Sequence, residues 1–366
     1  MATTAPWQRA NFLAGEWRPA QRGARAPGPH GTPEDQWPQS DAEDLALARR
    51  AAAAAHAAWA RSDPARRLEA WCAAARALER DASLWARLAE RFALAPEELA
   101  GHARGLEQEV AALGARPLPD GRGVAWLAPD WRELVRAPLL DLARESLAGR
   151  AAVLLADARV PELGEALMRA AAALPPGTVA LLHGARRELL AQALAASAPG
   201  ETVLVASALA EGMPELRRLS GAHEARLRAL RCGVLEVEPG GALEACAADA
   251  VERAFGRGTT LCGQLPGALG RVFCPARVFS RFTEHLLAEL ERRAATGFPP
   301  QVDEEAAARA RGAWELGLDE GATCIAGGEF DGRGCGLAPT VFTNVEPYME
   351  SARRQDPLPV LCLLRG

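Results

Sequence analysis

Hydrophobic residues in the first third of the chain recur at the three- and four-residue spacing of amphipathic helices. The first predicted helix begins at Ser40-Asp41-Ala42-Glu43, which has the form of a capping box, and runs to about Trp59. A second helix follows Pro64, a third contains residues 84–92, and residues 96–113 form a fourth. The Leu and aromatic stripes on these helices are typical of a hydrophobic core rather than of a ligand site.

The pattern changes after Gly123, where short apolar runs alternate with amphipathic segments. Five runs are predicted to be strands: GVAWLA (123–128), AAVLLA (151–156), TVALLH (178–183), TVLVAS (202–207) and GVLEVE (233–238). Helices are predicted between them, and the last of these ends near Leu230. This alternation is the pattern of an α/β fold with a doubly wound, Rossmann-type parallel sheet. Ligands of such sheets bind outside the carboxyl ends of the strands.

A second α/β region begins near Gly240. It contains a glycine-rich loop, an amphipathic helix and two strand-like runs: AFGRGTTLCGQLPGALGRVF (254–273), residues 279–293, APTVF (338–342) and PVLCLL (359–364). The loop holds one cysteine, Cys262, among small residues. The pattern alone leaves open whether that thiol is a nucleophile or a packed core residue.

Composition limits the chemistry that the chain can perform. The 366 residues carry a net charge of −5, which gives no basic field for nucleic acid. All 42 basic residues are Arg, so lysine Schiff bases and a phosphate-loop lysine are excluded. The chain has no signal-peptide apolar core and no apolar run of membrane-spanning length. We therefore expect a cytoplasmic protein that binds neither nucleic acid nor membrane.

The eight cysteines form no CxxC pair, and no histidine stands at metal-ligand spacing from two of them. They are Cys72, Cys232, Cys246, Cys262, Cys274, Cys324, Cys335 and Cys362. We therefore predict no metal site, and interpret these residues as reduced thiols that serve mostly as small core residues.

Several phrases stand in order along almost the whole chain: NFLAGEW (11–17), APDW (128–131), LAGRAAVLLADARVP (147–161), LEVEPGG (235–241), FPPQVDEEAAARARG (298–312) and LAPTVFTNVEPYMESARRQDPLPVLCLL (337–364). In that order they resemble phrases of the aldehyde dehydrogenase superfamily. The resemblance implies a Rossmann-type NAD-binding sheet domain and a second, catalytic-type α/β domain. The chain resembles in particular the shortened second half of the family's two-domain members.

This resemblance suggests four segments. Residues 1–122 form an N-terminal arm and the helical part of the cofactor-type domain, and residues 123–238 form its parallel sheet. Residues 239–345 form the catalytic-type domain, and residues 346–366 return to the first domain. Because the chain stops at Gly366, before the family's last catalytic-domain strands, we expect that domain to be C-terminally truncated.

The family's nucleophile is the Cys of a "GQxCxxxxR" motif, and GQLPGALGR (263–271) matches that motif without a gap. This alignment puts Pro266 at the nucleophile position. Proline has no nucleophile and no backbone N–H, so an oxyanion donor is lost as well. A gapped alignment puts Cys262 there instead, but it loses the Gly-Gln pair and the spacing to Arg271. We favour the ungapped alignment, and Cys262 is the only candidate nucleophile, with a packed thiol as the alternative.

Two further catalytic positions are implied by the resemblance. The oxyanion-binding Asn of "PWNFP" corresponds to Arg132, which can donate a hydrogen bond or can simply be a surface arginine at a helix start. Glu238 in LEVEPGG stands at the position of the general base. A strand-end carboxylate beside a tight turn is the equally good structural interpretation of Glu238.

The family's cofactor contacts are mostly replaced. The Lys-Pro that holds the adenosine ribose becomes Leu155-Ala156, and the pyrophosphate turn "FTGSTxVG" becomes VASALAEG (205–212), which keeps only Gly212. The Glu that binds the nicotinamide ribose becomes Gln355, while Trp131 retains the Trp of "PWNFP". Three lost polar anchors, at about 1–3 kcal/mol each, predict weak NAD(P) binding or none.

Three hypotheses follow. The first is an aldehyde-dehydrogenase-like pseudoenzyme that pairs with an active aldehyde dehydrogenase subunit or with itself, through surfaces that include an exposed sheet edge. The second is an NAD(P)-dependent aldehyde oxidoreductase that uses Cys262 and Glu238. The third is a nucleotide-binding module without chemistry.

Overall fold

The computed structural model describes residues 7–29, 35–330 and 336–366 of the chain. They divide into two compact units. The first unit comprises the residues up to 87 together with 100–229, and the second comprises 88–99 together with 230–366. Of the eight cysteines, Cys335 lies outside the described residues.

Helices predicted from the amphipathic spacing are present in the N-terminal part. The helices of the first 220 residues are α1 (Ala42–Ala60), α2 (Pro64–Glu79), α3 (Ala82–Phe92), α4 (Pro96–Ala100), α5 (Leu106–Gly114), α6 (Arg136–Leu147), α7 (Glu162–Ala170), α8 (Arg186–Ala195) and α9 (Met213–Ser220). The predicted capping box is displaced by one residue, because Asp41 caps α1 and exchanges hydrogen bonds with Asp44. The single fourth helix predicted at 96–113 is wrong. A 3₁₀ turn at Gly101–Ala103 separates α4 from α5.

The first unit contains a seven-stranded sheet. Its strands and those of a separate two-stranded ribbon are β1 (Asn11–Leu13), β2 (Glu16–Arg18), β3 (Arg25–Pro27), β4 (Gln36–Pro38), β5 (Val124–Ala128), β6 (Ala151–Leu155), β7 (Val179–Leu182), β8 (Thr202–Leu209) and β9 (Glu224–Leu230). The strand order is β2-β1-β7-β6-β5-β8-β9, and β3 pairs with β4. The pairs β5–β6, β6–β7 and β5–β8 are parallel. The predicted α/β fold with a doubly wound parallel sheet is therefore confirmed.

One strand of this sheet was missed by the pattern. A helix was predicted to continue to Leu230, but α9 ends at Ser220 and the chain returns as β9. The sequence EARLRAL has period two: Glu224, Arg226 and Arg228 alternate with Ala and Leu. That alternation is the pattern of a strand with one charged face.

The second unit is built on its own five-stranded sheet. Its elements are β10 (Gly233–Glu236), α10 (Leu243–Phe255), β11 (Leu269–Cys274), α11 (Phe279–Ala294), α12 (Glu304–Asp319), β12 (Thr323–Ala326), β13 (Thr340–Thr343), α13 (Glu350–Arg353) and β14 (Val360–Arg365). The strand order is β10-β11-β14-β13-β12. Phe255 of α10 and Phe282 and Leu286 of α11 pack on Val272 and Leu361 of the sheet, which forms the core of this unit.

Two of the predicted segment boundaries need correction. The segment 123–238 includes β10, but β10 pairs in parallel with β11 and so belongs to the second sheet. The segment 346–366 was expected to return to the first domain. Instead β14 lies between β11 and β13, bonded to both, because its apolar residues fill the centre of the second sheet.

Candidate active site

The loop between α10 and β11, residues 256–268, carries the predicted nucleophile region. Gln264, from the Gly-Gln pair, is buried and joins the loop to residues near 300. Its Nε2 donates to the carbonyl oxygens of Leu261 and Pro300 at 2.8 and 2.9 Å. Its Oε1 accepts the N–H of Val302 at 3.0 Å. Leu261 and Cys262 have φ angles of 47° and 54°, a left-handed conformation that is uncommon for non-glycine residues. The loop is therefore held by side-chain hydrogen bonds against local backbone strain.

Cys262 is a packed thiol in this structure. Its side chain is 1% exposed and belongs to the hydrophobic core of the second unit. Burial raises the pKa of the thiol far above its ordinary value, and no charged group contributes to that shift. A nucleophilic cysteine needs a thiolate, which a cationic neighbour or partial exposure normally provides. The environment of Cys262 provides neither.

Pro266 lies half-buried four residues after Cys262, in the turn that precedes β11. The next residue, Gly267, donates its backbone N–H to the carbonyl of Arg231 at 2.8 Å. The turn therefore connects the loop directly to β11 of the second sheet. It offers no nucleophile, and Pro266 has no N–H to donate to an oxyanion.

Glu238 is exposed and follows β10 in a tight turn, where its carbonyl accepts the N–H of Gly241 at 3.2 Å. Burial is the largest cause that raises the pKa of the half-buried Cys246 thiol, and the carboxylates of Asp249 and, more weakly, Glu238 raise it further. Glu238 makes no such contribution to Cys262. Glu238 therefore acts electrostatically on Cys246 and not on Cys262, so the general-base position is not coupled to the candidate nucleophile.

The surface position expected for Arg132 is wrong. Its side chain is 3% exposed, and its Nη1 lies 3.0 and 3.1 Å from the two carboxylate oxygens of Asp130. The guanidinium also lies 5.1 Å from the ring centroid of Trp131. Trp131 is buried too, and its backbone N–H donates to Asp157 at 3.2 Å. Both residues are therefore built into the core of the first unit.

A network of arginines and carboxylates fills the carboxyl ends of β5 and β6. Asp157 accepts from Arg159 at 2.9 Å and pairs with Arg186 at 3.1 Å, and Arg159 also reaches Asp130 at 3.3 Å. Burial favours the neutral acid, but Arg186 and Arg159 outweigh it and hold the pKa of Asp157 well below its usual range. Sequence reasoning missed this cluster. Its only signal was an acid directly after a buried strand, with an arginine two residues later.

A second branch of the network crosses to the edge of the sheet. The N–H of Asp130 donates to Ser207 Oγ at 2.8 Å, and Ser207 donates to Glu133 at 2.5 Å. Arg228 of β9 then bridges Glu133 at 2.8 Å and Asp141 at 2.6 Å. This explains the charged face of β9, since Arg228 neutralises Glu133, which precedes α6, and Asp141, which lies within it.

The crevice between α8 and α9 is a cavity of about 240 Å³. Gly212 lines it and caps α9, whose first turn contains Pro214 and Glu215. Arg187 of α8 pairs with Glu215 at 2.5 Å, so an ion pair joins the two helices. Gln355, the remaining predicted cofactor contact, is a half-buried residue of the second unit whose carbonyl accepts the N–H of Cys232 at 2.6 Å.

Comparison with known proteins identifies the family to which this fold belongs. A model of the aldehyde dehydrogenase family matches residues 135–365, well over half of the chain. The chain belongs to the aldehyde dehydrogenase family. A 111-residue stretch is 32% identical to Aldehyde dehydrogenase 1 of Tanacetum cinerariifolium, and it covers 28% of this chain and 22% of that protein. The match therefore spans less than a quarter of the plant protein.

Solved structures of aldehyde dehydrogenases share the fold. An NAD-dependent benzaldehyde dehydrogenase from Corynebacterium glutamicum superposes with a TM-score of 0.83 at 18% identity, over 100% of this chain and 85% of its own. An NADP-dependent glyceraldehyde-3-phosphate dehydrogenase from Bacillus halodurans C-125, complexed with NADP, gives 0.82 at 19% identity, over 98% and 81%. At these identities the likeness shows the fold alone.

Two further features of the structure concern metal binding and membrane crossing. Among residues 7–29, 35–330 and 336–366, no group of three or more His, Cys, Asp or Glu side chains is arranged to hold a metal ion. In the same part of the chain, no helix combines the length and apolar character needed to cross a membrane.

Proposed function

We propose that this chain is a non-catalytic member of the aldehyde dehydrogenase family that serves as a structural or regulatory partner. The observation that carries the proposal is the state of Cys262, which is fully buried, has no cationic neighbour among the described residues and has a strongly raised pKa. The ungapped alignment adds that the family's nucleophile position is Pro266. An active oxidoreductase based on Cys262 and Glu238 would need these groups to act together, and Glu238 acts electrostatically on Cys246 instead.

The proposal includes loss of useful NAD(P) binding. A pyrophosphate binds a helix start through free N–H groups and the positive end of the helix dipole. In α9 that turn contains Pro214, which has no N–H, and Glu215, whose negative charge opposes a phosphate. Leu155 at the ribose-lysine position is a fully buried residue of β6. These residues do not fit the cofactor that binds the family's active members.

The catalytic part is tested with purified protein, NAD or NADP, and a panel of aromatic and aliphatic aldehydes. We expect no aldehyde-dependent NADH or NADPH formation, and no NAD binding by calorimetry at micromolar concentrations. The matched variants are Cys262→Ser and Cys246→Ser. Turnover that the first variant abolishes and the second preserves would show that Cys262 is a working nucleophile, and the proposal would then be wrong.

The partner part needs its own measurement. We propose that the partner is an active aldehyde dehydrogenase subunit or a second copy of this chain, in a cytoplasm that keeps the seven described cysteines as free thiols. Co-expression with a complete aldehyde dehydrogenase, followed by native mass spectrometry, should give a complex of defined stoichiometry. A chain that stays monomeric, both alone and with that enzyme, would contradict the partner role.

A further inference from the structure

A cavity of about 450 Å³ is lined by residues of α1 and α8 in the first unit. It is separate from every predicted site residue. The lining residues are Ala42, Leu45, Ala46, Arg49, Trp126, Gln192, Ala193, Ala195 and Ala196. Its volume lies within the roughly 300–1,000 Å³ of small-molecule sites.

The cavity exists because both helices present alanine where they face each other. Ala42 and Ala46 of α1 and Ala193 and Ala195 of α8 line the space, and such short side chains cannot fill it. Trp126 of β5 forms the floor. Larger residues at these positions would close the gap with ordinary helix packing, so the space is a consequence of the sequence at this contact.

The charge of the cavity comes from Arg49. Arg49 is the only charged residue among those that line it, and its Nη1 donates to the carbonyl of Ala196. No carboxylate pairs with Arg49 among the described residues. Trp126 is 0% exposed, and its indole N–H, which has no acceptor among the described residues, is itself buried and out of reach of a ligand in the cavity. Trp126 therefore contributes apolar surface to the cavity rather than a hydrogen-bond donor.

We propose that this cavity binds a small amphipathic organic acid. Its apolar body, aromatic or short-chain acyl, lies against the alanines and Trp126, and its acidic group pairs with Arg49 at the mouth. Charge complementarity fixes the sign of the head group, because the described residues that line the cavity include one cation and no anion. The proposal is independent of the catalytic state of the chain, since the cavity shares no residue with the loop of Cys262 or with the α8–α9 crevice.

The test uses a pair of fluorescent probes that differ in charge. 8-Anilinonaphthalene-1-sulfonate has an apolar body and a sulfonate, and N-phenyl-1-naphthylamine has the same body without the charge. We expect the anionic probe to bind the wild-type protein at one saturable site, on the order of tenfold tighter than the neutral probe, which corresponds to about 1.4 kcal/mol. Octanoate should displace it.

Three variants decide the location. Ala46→Trp fills the cavity and should abolish saturable binding of both probes, whereas Ala54→Trp, at an exposed alanine of the same helix outside the cavity, should leave it unchanged. Arg49→Gln should remove the preference for the anionic probe while the neutral probe still binds. If Ala46→Trp does not fold, as judged by circular dichroism, Ala196→Trp at the cavity rim takes its place.

Two results would overturn the proposal. One is tight, saturable binding of the anionic probe to a folded cavity-filling variant, which would place the site elsewhere. The other is an unchanged ratio of the two affinities in Arg49→Gln, which would show that the guanidinium does not recognise the acid.

Discussion

Lowering the pH from neutral to 5 is expected to destabilise the first unit through one buried histidine. His183 directly follows β7, is 2% exposed, and has its ring centroid 4.9 Å from that of Trp37. Burial is the main cause that lowers the pKa of His183 from 6.5 to about 3, against a backbone hydrogen bond with Ala10 that raises it. The folded protein therefore holds this imidazole neutral throughout the range from pH 8 to pH 4.

The sign and size of the effect follow from proton uptake. In the unfolded chain His183 binds a proton as the pH falls through 6.5, while the folded chain does so only near 3. Unfolding therefore takes up a proton in this window, and stability falls as the pH is lowered, by about 1.4 kcal/mol per pH unit. Between pH 6.5 and 5 this amounts to about 2 kcal/mol, and the loss levels off below pH 3 at about 5 kcal/mol.

The assay is urea unfolding followed by circular dichroism from pH 8 to pH 5, where the low-pKa carboxylate of Asp157 does not yet titrate. His183→Phe keeps an aromatic ring beside Trp37 and removes the titrating group. Relative to this variant, the wild type should lose about 2 kcal/mol between pH 7 and pH 5. His285→Phe, at a half-buried histidine of the second unit, is the matched control for replacing a histidine by phenylalanine. Identical pH profiles for the wild type and His183→Phe would refute the reasoning.

Three other outcomes are expected. Asp157→Asn leaves two arginines without their buried carboxylate and should lower the urea-derived free energy of unfolding by about 3–5 kcal/mol; a change below 1 kcal/mol would mean that the network is not stabilising. Gly123→Ala places a Cβ 1.8 Å from the carbonyl oxygen of Glu201, so its melting temperature should fall well below that of Gly200→Ala, which has a similar positive φ but open space around it. Iodoacetamide should alkylate Cys262 only after denaturation, as read by peptide mass spectrometry, and rapid labelling of the native protein would contradict its burial.

The local hydrophobic pattern was sufficient to predict most helices and strands, but it did not show to which of the two sheets each strand belongs. The apolar runs at 151–156 and 202–207 became β6 and β8 because fully buried parallel strands are continuously apolar. The short run at 224–230 was missed because its alternation is carried by Arg and Ala, which also suit helices. Nothing in the local pattern of 233–236 or 360–365 says which of two sheets completes their hydrogen bonds, so β10 and β14 were assigned to the wrong domain.

The candidate site shows a different limit of sequence reasoning. Motif alignment located the loop with Cys262 and Pro266, since the spacing of its landmarks is a one-dimensional property. The burial of Arg132 depends on Asp130 and on a tryptophan ring, and these contacts are set by how the chain turns after β5. The pairing of Asp157 with Arg186 joins the segment after β6 to the first residue of α8, 29 residues further along the chain, and neither segment alone indicates it.

The arginine–carboxylate network gives a physical reason for the proposed loss of cofactor binding. A guanidinium is planar and can serve two carboxylates at once, as Arg159 does with Asp130 and Asp157, and as Arg228 does with Glu133 and Asp141. A lysine, absent from this chain, would offer a single point of charge. Among the described residues that line the α8–α9 crevice, the two cations are already paired, Arg186 with Asp157 and Arg187 with Glu215. A dinucleotide phosphate that recruited Arg186 would have to break its pair with the buried Asp157, and the cost of leaving a buried charge unpaired is about 3–5 kcal/mol.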